Sequence, residues 1–153
     1  MLKAVITDFS RVLLFPADDS YQQGLNSLNR QLLESTPNYD FWKYFQLNEE
    51  LLTYYTTLTL PKYIFTSDSI QDHPAVNKRL KAVFKEILSA KVLNVSKSDS
   101  KTYAAIAKLL DLKPNEIIYI DDNHNNIDAA KKAGCETILY KSNEDVIGKI
   151  AQG

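Results

Sequence analysis

The stretch Ala4-Val5-Ile6-Thr7-Asp8 is an apolar run that ends in a carboxylate, and it predicts a short buried strand with Asp8 at its end. Three later apolar runs also lead into polar residues that can contact a phosphate. They are Ile64-Phe65 before Thr66 and Ser67, the segment around Ile87-Leu88 before Lys97, and Ile117–Ile120 before Asp121 and Asp122. The carboxyl ends of parallel strands share one edge of a sheet, and ligands bind at that edge. The sequence therefore predicts that these acidic, hydroxyl and ammonium groups converge on one site.

Predicted strands and helices alternate along the whole chain. Strands are predicted for residues 2–7, 63–65, 86–89, 117–120 and 137–140. Helices are predicted for residues 18–34, from Asn48 to Pro61, from His73 to about Phe84, from Asp99 or Ser100 to Pro114, from Asn125 to Ala133, and from Ser142 onward. Strands that are almost continuously apolar indicate a parallel sheet covered on both faces. We therefore expect an α/β fold of about five parallel strands in a single domain, residues 1–153.

The composition limits the classes of function. The net charge is −1, so there is no electrostatic case for binding nucleic acid or an anionic membrane. No apolar run approaches the roughly 20 residues that a membrane-spanning helix needs, and the first residues do not resemble a signal peptide. The single cysteine, Cys135, fits a reducing compartment. We therefore expect a cytoplasmic protein that acts on a small molecule.

The predicted cluster suits phosphoryl transfer. A carboxylate such as Asp8 can be a covalent nucleophile, but it must approach an anionic phosphate. A divalent cation held by Asp8 and Asp122 would offset that repulsion, and Mg²⁺ prefers such oxygen ligands. Asp121 would be a further ligand or a supporting acid. Lys97 would supply a positive charge to the phosphoryl oxygens, and the Thr66 hydroxyl would contact them as well.

Four segments, in this order, resemble the four motifs of the haloacid dehalogenase-like hydrolases: Asp8, Thr66 after Tyr63-Ile64-Phe65, Lys97–Tyr103, and Tyr119–Ala130. The third segment, KSDSKTY, is similar to the family's K-P-D-P-x-x-Y pattern, with Lys97 as the phosphate lysine. The fourth is similar to the D-D-x-x-x-N version of its motif, through Asp121, Asp122 and Asn126. This resemblance implies a Rossmann-like fold, Mg²⁺ as cofactor, and usually the hydrolysis of phosphate monoesters through an aspartyl-phosphate.

The residue chemistry and the resemblance together define a candidate site. The catalytic residues are expected to be Asp8 and Lys97, and substrate is expected to contact Thr66, Ser67 and Lys97. The metal ligands are expected to be the side chains of Asp8 and Asp122 with the main-chain carbonyl of Ser10. Behind these ligands we expect the supporting residues Asp121 and Asn126.

The first motif departs from the common pattern of the family, which is D-x-D-G-T. Here Ser10 replaces the second aspartate, the residue that protonates the leaving group and later activates water. Removing a general acid or base typically lowers a rate by about 10²–10⁴. Arg11 and Val12 replace the Gly-Thr pair. One branch of the family, which includes bacterial sugar-phosphate phosphatases, has D-x-G-x-V together with D-D-x-x-x-N, and this sequence is similar to that branch.

The segment from about residue 16 to residue 60 is where many relatives have a helical cap over the site. Its length predicts a reduced helical cap insert after the first strand. A poorly covered site would admit bulky phosphate esters or use a partner subunit as a lid. The aromatic stretch Tyr39–Phe45 within it is expected to be core, or an interface in a homo-oligomer.

Several functions are compatible with these residues. The first is a Mg²⁺-dependent phosphatase whose acid/base is water, the substrate or His124. The second, favoured by Ser10, is a weakly active or non-catalytic module that binds phosphate and metal. A phospho-receiver domain is disfavoured because receivers place their acidic pair after the first strand, whereas Asp121 and Asp122 follow the fourth predicted strand. A halide-displacing enzyme needs no metal, and this acidic pair disfavours it.

Overall fold

A five-stranded parallel sheet forms the centre of the computed structural model, which describes residues 1–153. Its strands are β1 (Ala4–Thr7), β4 (Lys62–Thr66), β5 (Glu86–Ser89), β6 (Ile117–Asp121) and β7 (Glu136–Leu139). Their spatial order is β5-β4-β1-β6-β7, with β1 hydrogen-bonded to both β4 and β6. The chain therefore moves outward from β1 in both directions. This arrangement confirms the predicted α/β fold with a parallel sheet.

Eight α-helices accompany the sheet. They are α1 (Leu25–Ser35), α2 (Phe41–Tyr44), α3 (Glu49–Thr57), α4 (Pro74–Lys81), α5 (Ala90–Leu93), α6 (Ser100–Leu109), α7 (His124–Ala133) and α8 (Asn143–Gln152). The predicted caps lie where expected, since the Ser142 hydroxyl accepts from Asp145 N and Gly134 ends α7 at φ 105°. No helix is both long and apolar enough to cross a membrane.

The helix predicted for residues 18–34 begins only at Leu25, so the prediction is wrong for its first turns. The Asp18 carboxylate accepts hydrogen bonds from both the amide and the hydroxyl of Ser20, which favours a turn over a helix. Gly24 then has an extended backbone and forms the N-cap. The apolar residues at steps of three and four lie within the true helix, and they could not reveal where it starts.

A short antiparallel hairpin, absent from the sequence prediction, divides the predicted insert. It pairs β2 (Leu14–Pro16) with β3 (Phe45–Leu47). Residues 17–44, with α1 and α2, lie between the two hairpin strands. Residues after β3 form α3, whose buried Leu51, Leu52 and Tyr55 pack into the main core. The part of the segment 16–60 that stands apart from the sheet is therefore residues 17–44.

Two clusters of buried side chains lie on opposite faces of the sheet. Neighbouring residues on a strand point to opposite faces, so Val5 belongs to one cluster and Ile6 to the other. Helices α3, α4 and α8 cover the first face, and α6 and α7 cover the second. The expected helices on both faces are therefore present.

The aromatic stretch packs mainly inside the chain. Tyr39, Phe41 and Phe45 are buried in the first cluster, and the Phe41 ring lies 4.6 Å from the His73 ring, centroid to centroid. Among the aromatic residues of this stretch Trp42 is the exposed one, with 41% of its surface accessible. The insert therefore joins the main core through its aromatic residues.

Asn48 connects the loop before β2 with α3 and α8. Its side-chain amide donates to Val12 O at 2.9 Å and to Asn143 Oδ1 at 2.7 Å. Its Oδ1 accepts from Asn143 Nδ2 at 2.8 Å and caps α3 by accepting from Leu51 N. Because one side chain satisfies groups on three elements, its loss would leave several polar groups without partners.

We expect Asn48→Ala to lower the free energy of unfolding by about 1–3 kcal/mol, through loss of the cap and of a partly buried hydrogen-bond pair. The measurement is urea unfolding followed by circular dichroism. Asn115→Ala, at an exposed position, is the matched control and should stay within about 0.5 kcal/mol of the wild type. Equal effects of the two substitutions would contradict this account of Asn48.

Candidate active site

The carboxyl-terminal edge of the sheet contains a polar cavity of about 230 Å³. Asp8 follows β1, Thr66 is the last residue of β4, and Asp121 is the last residue of β6. All three side chains are buried, and all line this cavity. The order of the strands produces the convergence, since β1 is the direct neighbour of both β4 and β6.

Lys97 is buried between two carboxylates. Its Nζ lies 2.8 Å from Asp8 Oδ1 and 3.0 Å from Asp121 Oδ2. The Tyr103 hydroxyl donates to the Lys97 carbonyl at 2.6 Å, which fixes the loop before α6. The structure therefore brings Lys97, rather than the exposed Lys101, to the site. One ammonium group contacts two acids, and a third acid lies close by.

Asp121 is fully buried, and both of its carboxylate oxygens accept hydrogen bonds. Its carboxylate accepts from the Tyr119 hydroxyl, from Asn123 N at 2.9 Å and from Asn126 Nδ2 at 3.0 Å, in addition to its contact with Lys97. Asn126, expected as a supporting residue, thus touches Asp121 directly. The Tyr119 contact was not predicted, because the tyrosine lies inside an apolar strand whose pattern indicates core.

Asp8, Asp121 and Asp122 can together approach one cation. Each offers a carboxylate oxygen, and these oxygens all lie within 4.8 Å of one another. Asp122 is exposed, whereas the other two are buried. Ser10, the other expected ligand, also lines the cavity. Three converging carboxylates are a donor set that suits Mg²⁺.

The pKa values show how unevenly charge is balanced here. Burial, together with the nearby Asp121, raises the pKa of Asp8 to about 8, although Lys97 opposes the shift. Burial and Asp121 raise the pKa of Asp122 to about 6. For Asp121, burial is outweighed by Lys97 and the Tyr119 hydroxyl, so its pKa is lowered. For Lys97, burial is outweighed by Asp8 and Asp121, so its pKa is raised. The site favours additional positive charge.

The loop after Asp8 shapes the rim of the cavity. Phe9 N donates to Asp8 Oδ1 at 2.8 Å, which orients the carboxylate. Arg11 has a left-handed backbone with φ 63°, and its guanidinium donates to the carbonyls of Tyr21 and Gln23 at 3.1 and 2.7 Å. Sequence reasoning identified Arg11 only as a departure from a motif. In the structure it ties the insert to the loop that bears Asp8.

The insert reaches the cavity through the start of α1. Gly24, Leu25, Asn26 and Ser27 line one side, and Asn26 Oδ1 accepts from Ser69 N and Ile70 N at 3.3 and 2.9 Å. The site is therefore partly covered from within the chain. Sequence reasoning missed these lining residues, because no signal in the sequence pairs Asn26 with a loop more than 40 residues away.

The two remaining candidates, Ser67 and His124, differ in whether they line the cavity. Ser67 is exposed and lines the cavity beside Thr66, and its contact with substrate stays a prediction. His124 is the first residue of α7, is exposed, and does not line the cavity.

Comparison with known proteins identifies the family. The model of the family described as "Haloacid dehalogenase-like hydrolase" matches residues 19–140. The chain therefore belongs to the haloacid dehalogenase-like hydrolases. This agrees with the resemblance of its motifs; the narrower branch stays a prediction.

Three relatives share the name enolase-phosphatase E1, and two of them illustrate the extent of the match. The protein of Aquifex aeolicus is 32% identical over 84 residues, which are 52% of this chain and 37% of that protein. The protein of Persephonella marina is 31% identical over 91 residues, which are 56% of this chain and 39% of that protein. The matches thus span less than two fifths of the length of either relative.

Solved structures share the fold. A HAD-family enzyme of Bacteroides thetaiotaomicron aligns with a TM-score of 0.71 at 14% identity, covering 97% of this chain and 98% of that one. The same enzyme was crystallised in complex with magnesium and inorganic phosphate, and that structure aligns with a TM-score of 0.69 at 14% identity, covering 95% and 97% of the two chains. A HAD-superfamily hydrolase of Geobacter sulfurreducens aligns with a TM-score of 0.67 at 15% identity. The alignment covers 93% of this chain and 91% of that one.

The pKa of Asp8 predicts how stability depends on pH in the absence of metal. A carboxyl group whose pKa is raised by folding binds its proton more tightly in the folded state, so raising the pH from about 4 to about 8 lowers stability. A tenfold difference in proton affinity between the folded and unfolded states is worth about 1.4 kcal/mol. We expect Asp8→Asn to be more stable than the wild type at pH 8 by more than about 1 kcal/mol, and the difference to shrink towards pH 5.

Urea unfolding in the presence of a chelator, at several pH values, measures this effect. Asp111→Asn is the matched control at an exposed aspartate, and it should not separate from the wild type in the same way. A wild-type protein that becomes more stable than Asp8→Asn as the pH rises would contradict the burial argument.

Proposed function

We propose that this protein is a Mg²⁺-dependent phosphate monoester hydrolase that uses Asp8 as its nucleophile. The observation that carries the proposal is the buried contact of Lys97 with Asp8 and Asp121, next to the third carboxylate of Asp122. This arrangement combines a nucleophile, a cation for the phosphoryl oxygens, and a place for a divalent metal. Such positioning and charge stabilisation supply most of the catalysis in phosphoryl transfer.

The residues have distinct roles in this proposal. The Oδ1 atom of Asp8 accepts hydrogen bonds from Phe9 N and Lys97, which leaves Oδ2 as the oxygen that attacks phosphorus. Lys97 and the Thr66 hydroxyl hold the phosphoryl oxygens, and the exposed Ser67 contacts the substrate. Asp121 and Asn126 keep Lys97 in place.

Magnesium would be held by the side chains of Asp8 and Asp122 and by the main-chain carbonyl of Ser10. When bound, it neutralises charge on the phosphate and so reduces its repulsion from Asp8. Burial and the nearby Asp121 raise the pKa values of Asp8 and Asp122, and a bound cation would stabilise the charged form of both carboxylates, which supports this assignment.

The comparisons support the same function. The two enolase-phosphatases carry the word phosphatase in their names, and the enzyme of Bacteroides thetaiotaomicron was crystallised with magnesium and inorganic phosphate. The cavity of about 230 Å³ is lined almost entirely by polar residues, which suits the phosphoryl group of a phosphate ester. The cytoplasmic location and a homo-oligomer through the aromatic insert stay predictions.

Ser10 favours a second candidate function. A protein that keeps Lys97, Thr66 and the three carboxylates but lacks the family's acid/base could bind phosphate and metal with little turnover. The two functions differ in one measurement. Hydrolysis of a panel of phosphate esters that depends on Mg²⁺ supports the phosphatase, whereas binding of phosphate and Mg²⁺ without hydrolysis supports the binding module.

Asp8→Asn should lower Mg²⁺-dependent hydrolysis of an aryl phosphate by at least about 10³-fold, because the amide is not a nucleophile. Release of the coloured phenol measures the rate. Asp128→Asn, which changes an exposed aspartate on α7 outside the cavity, is the control and should retain wild-type activity. Full activity in Asp8→Asn would refute the mechanism.

Mg²⁺ should raise the free energy of unfolding of the wild type, by about 2.7 kcal/mol at a hundredfold excess over its Kd. Asp122→Asn should raise that Kd by roughly tenfold or more, because a ligand is lost. Thermal unfolding over a series of Mg²⁺ concentrations gives both values, with Asp128→Asn again as control. Identical Mg²⁺ dependence in the wild type and Asp122→Asn would remove Asp122 from the metal site.

A further inference from the structure

Arg11 is a cation on the wall of the cavity that has no acidic partner. Two cations line the cavity, Lys97 and Arg11. The Lys97 ammonium contacts the carboxylates of Asp8 and Asp121. Arg11 is partly buried, yet it takes part in none of the ion pairs of the chain. Because a charge removed from water normally has a partner, the charge of Arg11 is available to a ligand.

The insert holds the Arg11 side chain in place without neutralising it. Its Nη2 donates to the carbonyls of Tyr21 and Gln23 at 3.1 and 2.7 Å. A guanidinium has five N–H donors, so those on Nε and Nη1 remain without a partner in the chain. Neither nitrogen is a buried unpaired atom, so both are accessible. Main-chain carbonyls carry no net charge, so these contacts fix the position of the guanidinium and leave its positive charge uncompensated.

The insert adds hydrogen-bond donors and no acid to the same wall. Its lining residues are Gly24, Leu25, Asn26 and Ser27. The Asn26 Oδ1 accepts from two main-chain amides of the segment after β4, which leaves the NH₂ group of this side chain for a ligand. The carboxylates of the cavity belong to residues at the ends of β1 and β6. The wall formed by Arg11 and the insert is therefore the positively charged one.

We propose that Arg11 binds a second anionic group of the substrate, a carboxylate or a second phosphate on the alcohol half of the ester. Arg11 follows Asp8 by three residues, so their Cα atoms are at most about 11 Å apart and one small molecule can reach both. The inference rests on the proposed function and names its substrate class, the phosphate esters of hydroxy acids and the bisphosphates.

The contact with Arg11 would act on substrate binding. Hydrogen bonds between a guanidinium and an anionic oxygen are stronger than those between neutral groups. The second anionic group does not react, so its contact is the same in the bound substrate and in the transition state. Such a contact lowers KM and leaves kcat largely unchanged.

Three matched pairs of esters test this preference in the presence of Mg²⁺. Phosphoglycolate is compared with hydroxyethyl phosphate, and phosphoglycerate with glycerol phosphate, for the carboxylate. Propanediol bisphosphate is compared with hydroxypropyl phosphate for the second phosphate. In at least one pair we expect kcat/KM to be about tenfold or more higher for the doubly anionic ester, mainly through KM. Equal values within every pair would overturn the inference.

Substitutions assign the preference to one side chain. Arg11→Gln removes the charge but keeps an amide donor for the carbonyls, and it should lower the preference by about tenfold or more. Arg11→Lys keeps the charge and should retain most of the preference. Arg30→Gln is the matched control, because Arg30 is a cation of the insert that pairs with Asp68 and does not line the cavity. It should keep the wild-type preference.

Two results with these variants would overturn the inference. An Arg11 that serves only as a structural tie would slow both members of a pair equally, so folded Arg11→Gln would keep the wild-type preference. An equal loss of preference in Arg30→Gln would trace the effect to the general charge of the insert.

Labelling of the wild type decides even if Arg11→Gln does not fold. Phenylglyoxal modifies accessible arginines, and peptide mass spectrometry locates the labels. Excess phosphoglycolate or propanediol bisphosphate should protect Arg11 more than the matched neutral ester does, while Arg30 and Arg79 label at unchanged rates. Equal protection by the charged and neutral esters would overturn the inference. So would an Arg11 that is never labelled, since the inference requires its guanidinium to be accessible.

The failure of this inference differs from the failure of the proposed function. Mg²⁺-dependent hydrolysis without any preference would overturn the inference and leave the phosphatase standing. If no ester is hydrolysed, the phosphatase fails, and calorimetry of the same esters with the wild type and Mg²⁺ decides the inference. Tighter binding of the doubly anionic ester would then support the contact in a binding module. Equal binding of both esters, or none, would overturn the inference as well.

Discussion

The ion pair between Lys97 and the two buried carboxylates of Asp8 and Asp121 is the interaction on which the site depends. Burying a charge is costly unless it is paired, and here one ammonium must serve two acids, with Asp122 adding a third. Burial, together with the nearby Asp121, raises the pKa of Asp8 even though Lys97 opposes the shift. A divalent cation would be complementary to this site, because it would relieve the excess of negative charge.

The sheet topology makes this arrangement possible. β1 lies between β4 and β6, so three strand ends bring Asp8, Thr66 and Asp121 together without any long loop. Lys97 reaches the same point from the loop before α6, held there by the hydroxyl of Tyr103. Most of the site is therefore placed by rigid elements. The exception is the rim formed by the insert.

Much of the fold and the core of the site could be predicted from the sequence, because both follow from local patterns. Apolar runs located the five strands, and the cap at Asn48 and the glycine at position 134 marked helix ends. The hairpin could not be predicted, because strands of three residues are too short for a periodic signal. The contacts of Arg11 and Asn26 with distant main-chain groups depend on tertiary packing and leave no mark in either local sequence.

The hairpin also determines how the insert is connected. Residues 17–44 follow β2 and precede β3, which pair with each other. Ala17 N also donates to Tyr44 O at 2.9 Å, so the two ends of this segment are held side by side. Loop length adds little to the cost of closing such a segment. The hairpin thus anchors a segment that could be lengthened, shortened or exchanged without moving the strand ends that bear Asp8, Thr66 and Asp121.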